Sequence, residues 1–98
     1  MNVIKESSGS QLTLRIQGRL DTTTAPQLET ELKASVEGVT ALVLDLAELA
    51  YISSAGLRVV LMAQKIMNKH GTMVVRNVDP NVLEVFEVTG FSDILTIE

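Results

Sequence analysis

Two adjacent hydroxyls, Ser53 and Ser54, stand where the strand-like apolar run Ala50-Tyr51-Ile52 breaks off and restarts at helical spacing as Ala55-Gly56-Leu57-Arg58-Val59-Val60-Leu61. That pattern places Ser54 at a helix N-terminus. The first N–H groups of a helix lack intrahelical acceptors, and the macrodipole leaves partial positive charge there. A phosphoryl group on Ser54 would bring about −1.5 to −2 charges, which the helix end favours by roughly 0.3–1 kcal/mol. The fold is expected to survive the modification while the surface around it changes character, a combination that a switch needs. The simpler alternative is a Ser pair that only caps the helix, a role that Ser53 fits well.

The helix that must carry this hydroxyl is predicted from about Ser54 to His70, with Gly71 as a left-handed C-cap. At 100° per residue, Ala55, Val59, Val60, Met62, Ala63, Ile66 and Met67 gather on one arc, the predicted buried face. Ser54, Arg58, Lys65 and Lys69 share the opposite arc. Leu57 and Leu61 fall beside the polar side, where they either flank the serine as docking contacts or, with the helix turned by some 40°, enter the core. Arg58, one turn after Ser54, either touches a partner, neutralises a phosphate, or is a solvated cation. Asp21 either orients the serine loop or caps a turn.

The remaining elements follow from periodicity. Val3 and Ile4, the turn Ser7-Ser8-Gly9-Ser10, and Leu12-Thr13-Leu14-Arg15-Ile16-Gln17 read as a β-hairpin with one solvated face. Gly18-Arg19-Leu20-Asp21 closes the second strand. Thr24-Ala25-Pro26-Gln27 matches a capping box opening a helix with Leu28, Leu32 and Val36 on its apolar stripe, ended by Gly38. Ala41-Leu42-Val43-Leu44-Asp45-Leu46 has the near-continuous apolarity of a central strand, so strand, helix, strand implies a parallel pair with a right-handed crossover. Thr72-Met73-Val74-Val75 supplies another strand. Asp79-Pro80 caps a third helix that ends near Thr89-Gly90, and Ile94-Leu95-Thr96-Ile97 is expected to form a short last strand.

With 98 residues, the chain is long enough for one core and too short for two. Hydrophobic residues at 46% exclude a disordered chain, and no apolar run approaches the ~20 residues that cross a bilayer. A net charge of −4 and aromatics at 3% argue against direct nucleic-acid binding, which needs excess cations or stacking platforms. With no Cys, thiolate catalysis and Cys-ligated metals are excluded. A single His70, at an expected helix end, and no Gly-rich phosphate loop leave little for catalysis, so no enzyme, metal or cofactor is expected. Met1-Asn2-Val3-Ile4-Lys5-Glu6 lacks the pattern of a signal peptide, and a cytoplasmic address is expected.

Taken together, the hairpin, Gly-Arg-Leu-Asp-Thr at 18–22, Leu-Val-Leu-Asp-Leu at 42–46 and Tyr-Ile-Ser-Ser-Ala-Gly-Leu-Arg at 51–58 resemble the STAS domain of anti-sigma factor antagonists (anti-anti-sigma factors). Val88-Thr89-Gly90-Phe91 resembles that family's Leu-Thr-Gly-Leu segment, and the resemblance spans residues 1–98 as a single domain. It implies an α/β STAS fold, a small mixed sheet of four or five strands with an N-terminal hairpin and three main helices packed against it.

The resemblance also implies a partner switch. An anti-sigma factor with GHKL-type serine kinase activity would phosphorylate Ser54, the unphosphorylated form would bind that anti-sigma factor and free the sigma factor, and a PP2C-type phosphatase would reset the cycle. The partner surface it implies runs through Asp21, Thr22, Ser53, Ser54, Ala55, Gly56, Leu57, Arg58 and Leu61. Where many members have Asp-Ser-Ser/Thr-Gly, this chain has Ser53-Ser54-Ala55-Gly56, which makes Ser53 a secondary acceptor. The alternative within the family is a scaffold subunit of a lipid-transport ATP-binding cassette complex, docking through the same helix without a phosphate cycle. Ser54 on the polar face favours the regulator.

Overall fold

Alternation in the first twenty residues builds the hairpin. In the computed structural model, which describes residues Met1–Glu98, β1 (Asn2–Ser8) pairs antiparallel with β2 (Gln11–Leu20), with Ser8 opposite Gln11 and Gly9 in the turn at φ +60°. Leu12, Leu14, Ile16 and Leu20 of β2 all point into the core. Beyond the hairpin come α1 (Ala25–Ser35), β3 (Ala41–Asp45), β4 (Leu49–Ile52), α2 (Ser54–His70), β5 (Thr72–Arg76) and α3 (Pro80–Val88), followed by a 3-10 turn at Phe91–Asp93.

The sheet runs β1-β2-β3-β5, with β3 parallel to both β2 and β5 as the crossover argument requires. Its register aligns Leu12, Leu42 and Met73 in one buried row and Leu14, Leu44 and Val75 in the next. Onto these rows pack Leu28 and Leu32 of α1 and Val60, Ala63 and Met67 of α2, while Val82 and Phe86 of α3 close the same apolar cluster.

β2 changes partner along its length. Its first half pairs with β3, its register slips at Gly18 and Arg19, and its last residues pair with β4, Leu20 beside Ile52. Gly18, at φ +100°, sits in that bulge. Two parallel strands therefore end side by side, and the loops that follow them, Asp21–Thr24 and Ser53–Ser54, emerge together.

Four local expectations are corrected. The capping box does not form: the Thr24 side chain makes no cap bond to α1, because its hydroxyl donates to the Arg19 carbonyl at 2.8 Å and accepts from the Asp21 N–H at 2.9 Å. α1 ends at Ser35, before Gly38, which takes φ +78° in the following turn. Gly71 is not left-handed but extended, at φ 164°; a Cβ there would lie 1.9 Å from the Thr40 carbonyl oxygen, so glycine serves a close approach of backbones. The last strand shrinks to one bridge, Ile97 beside Val75, because the 3-10 turn after Gly90 consumes the preceding residues and Leu95 turns into the core.

Candidate functional site

Ser53 is the N-cap of α2. Its backbone is extended, its N–H donates to the Leu20 carbonyl at 2.9 Å, and its side-chain oxygen accepts from the Gly56 N–H at 3.3 Å. Ser54, the first residue of α2, is exposed and its hydroxyl has no hydrogen-bond partner. The pair thus divides its work: one hydroxyl holds the helix end and the other faces outward. The first turn of α2 contains no acidic residue, so nothing in it offsets the positive helix end.

The seating of that turn depends on Gly56. A Cβ there would meet Leu20 Cγ at 2.7 Å, Ile52 Cγ1 at 2.9 Å and the Leu20 carbonyl oxygen at 3.0 Å. The missing side chain lets α2 start directly on the paired ends of β2 and β4. The same close seating turns α2 by roughly 60°, at 100° per residue, from the orientation its own wheel predicts. Leu57 goes into the core at 7% exposure and Gln64 is buried, while Ala55, Met62 and Ile66 stay only half-buried.

Asp21 follows Leu20 and folds back on its own loop. Its carboxylate accepts from the Thr23 N–H at 3.0 Å and the Thr24 N–H at 3.1 Å, and Arg19 lies 3.9 Å away. The Thr24 N–H does most to hold the carboxyl below the usual carboxylate range, against an opposing effect of burial, and the Thr23 N–H, the Thr24 hydroxyl and Arg19 add to it. Asp21 is therefore an ionised anchor of the loop before α1. A groove between the starts of α1 and α2 is lined by Thr22, Pro26, Glu29, Ala55, Arg58 and Val59, so that Thr22, Ala55 and Arg58 share one surface.

Of the nine residues that sequence reasoning assigned to a partner surface, Thr22, Ser54 and Arg58 are exposed, and Asp21, Ser53, Ala55 and Leu61 are half-buried. Two are corrected. Gly56 and Leu57 are buried, the first to admit the strand ends and the second because the helix is turned toward the core. Two neighbours were missed: the Arg19 guanidinium lies 4.2 Å from the centre of the Tyr51 ring, and the ring is 41% exposed. A signal for this pair was present, since each residue stands one place before the apolar residue that ends its strand, and parallel strands that end together bring such positions side by side.

No helix is long and apolar enough to cross a membrane, and no group of His, Asp and Glu is arranged to hold a metal ion.

A family model described as "Mlab, STAS domain" matches residues 4–96. BtrV of Bordetella bronchiseptica is 41% identical over 99 residues, covering 99% of this chain and 85% of BtrV. The anti-sigma-B factor antagonist of Listeria monocytogenes is 31% identical over 97 residues, covering 97% of this chain and 85% of that protein. Among solved structures, the anti-sigma factor antagonist SpoIIAA in its unphosphorylated form superposes with a TM-score of 0.85 at 20% identity, covering 99% of this chain and 88% of that one. Bacillus SpoIIAA in its phosphorylated form gives a TM-score of 0.78 at 19% identity, covering 99% and 91%. At such identities these two likenesses are likenesses of fold.

Proposed function

The chain belongs to the STAS domain family, and from that premise we propose that it is an anti-sigma factor antagonist with Ser54 as its switch. The unphosphorylated form binds an anti-sigma factor that has GHKL-type serine kinase activity, and the sigma factor is released. The kinase then phosphorylates Ser54, the complex dissolves, and a PP2C-type phosphatase restores the binding form. The protein regulates transcription by exchange of partners in the cytoplasm and catalyses nothing itself.

One observation carries this reading: Ser54 presents a free, exposed hydroxyl at the first residue of α2, while its neighbour Ser53 is committed to the cap. A kinase can reach the first without unfolding the helix. The modified form keeps its scaffold because the helix end favours negative charge, but a phosphate inside a docked interface must shed water and face whatever the partner presents there. Unfavourable charge juxtaposition costs several kcal/mol, and each 1.4 kcal/mol is a factor of ten in affinity. A local change of charge therefore suffices, with no refolding.

The test is incubation with ATP and the serine kinase encoded beside the gene, read by intact-mass and peptide mass spectrometry. A single phosphate on Ser54, absent from Ser54→Ala, is the expected result. No incorporation, together with tight association with a transporter ATPase, would replace the regulator with the scaffold reading.

A further inference from the structure

The chain has eight Lys and Arg in all. Five of them, Lys5, Arg15, Arg19, Lys33 and Arg76, are held in ion pairs with carboxylates. The other three, Arg58, Lys65 and Lys69, make neither an ion pair nor a hydrogen bond, and all three lie on α2. That helix contains no Asp or Glu, so it stands at +3 while the rest of a chain of net charge −4 stands at −7. The three cations are exposed, and with them Leu61, Met62 and Ile66 line one open surface, each only half-buried. This strip is apolar along its middle and cationic along its length, and it begins at Arg58, one turn from Ser54.

We propose that this outer face of α2, from Arg58 to Lys69, is a docking strip for an acidic amphipathic helix of the partner protein. The inference rests on the anti-sigma factor reading above and extends it from the serine along the whole helix. Charge complementarity selects the occupant: unpaired cations at i, i+7 and i+11 match a row of carboxylates, and the half-buried Leu61, Met62 and Ile66 supply the apolar seam that a helix docks on. The strip also gives the phosphate a second effect. A dianion on Ser54 sits at the head of the strip and competes with the partner's carboxylates for Arg58.

The first probe is a synthetic helical peptide with a Leu stripe flanked by Glu, and its counterpart with Gln in place of Glu, titrated into the 15N-labelled protein. Chemical-shift changes are expected at Arg58, Leu61, Met62, Lys65, Ile66 and Lys69 with the Glu peptide, and at least tenfold weaker binding with the Gln peptide or in about 1 M salt, where the Debye length is ~3 Å. The variant Lys65→Glu/Lys69→Glu should bind at least tenfold more weakly. Lys5→Glu/Arg76→Glu, which changes net charge equally on other surfaces, should bind as the parent does. Shifts spread over the whole surface, or equal weakening by both double variants, would overturn the strip. Capture of phosphatidylglycerol vesicles through these residues, with the peptide silent, would assign the face to lipid and equally overturn it.

Binding to the cognate anti-sigma factor separates this inference from its premise. If Ser54→Asp weakens that complex and Lys65→Glu/Lys69→Glu leaves it unchanged, the strip fails and the switch stands. If the double variant weakens it and Ser54→Asp does not, the switch fails and the strip stands.

Discussion

At Ser53 and again at Asp79 the chain enters a helix through a polar side chain that accepts a first-turn N–H, from Gly56 at 3.3 Å in α2 and from Asn81 at 2.8 Å in α3. Position by position the two starts then diverge. The cap is a neutral hydroxyl in α2 and a carboxylate in α3. The first helical residue is Ser54, with a free hydroxyl, in one and Pro80, with nothing to modify, in the other. The third is Gly56, pressed on the strand ends, against Val82, whose side chain fills the core. α3 carries its negative charge permanently and stands off from the sheet by the width of a valine. α2 starts flush with the sheet, uncharged, with an acceptor for charge held outward. The difference between a structural and a regulated helix start lies in these three positions.

The largest expected effect breaks that comparison at Ser54. Ser54→Asp gives α2 the fixed charge that α3 has, and affinity for the anti-sigma factor should fall on the order of 100-fold, or about 2.7 kcal/mol. Thermal stability should hold or rise, since an anion at a helix start is worth roughly 0.3–1 kcal/mol in its favour. Isothermal titration and a melting curve on the same sample read both numbers. Loss of binding together with loss of folding would remove the argument for a rigid switch.

Next in size is Gly56→Ala, whose methyl group must be accommodated against Leu20 and Ile52 at distances below 3.0 Å. A cost of about 1–3 kcal/mol in urea unfolding is expected from overpacking. The matching residue in α3 tolerates, and uses, a larger side chain. If Gly56→Ala were neutral, α2 would not be seated on the strand ends as described.

How much of this was legible depended on where the deciding partner lies. Strand alternation and the Asp79-Pro80 signal are local, and so the hairpin, β3, β5 and α3 were read from the residues that form them. The orientation of α2 was not local. A helical wheel sees only its own helix, whereas the burial of Leu57 is decided by Gly56 meeting Leu20 and Ile52 on two other strands. The same holds for Thr24, whose capping motif was outcompeted by the Arg19 carbonyl and the Asp21 N–H. Ser54 was legible because its position depends on one feature only, the break between an apolar strand and a helical repeat.

A smaller effect sharpens the comparison of the caps themselves. Asp79→Ala should destabilise by about 1–2 kcal/mol and Ser53→Ala by about 0.5–1 kcal/mol, within the usual range for lost N-caps. The ordering follows from the shorter bond and the ionised acceptor at Asp79. Chemical unfolding of the two variants side by side checks it, and a reversed order would mean that the hydroxyl of Ser53 holds more than its helix end.

The smallest effect concerns the one carboxylate beside the start of α2, which is committed elsewhere. Asp21 spends its acceptor capacity on the Thr23 and Thr24 N–H groups at the start of α1, and those bonds hold its carboxyl below the ordinary range. A carboxyl whose folded value is depressed binds fewer protons folded than unfolded. Its contribution is therefore complete above the unfolded value of about 3.9 and is lost as pH falls through the lower, folded one. Asp21→Asn should accordingly be less stable than the parent at neutral pH, with the two stabilities converging in acid, as equilibrium unfolding at a series of pH values would read. Because Asp21 acts on the α1 loop, the same variant should leave phosphorylation of Ser54 unaltered. If the kinase rate fell as well, Asp21 would belong to the switch in α2 and not only to the anchor of its neighbour.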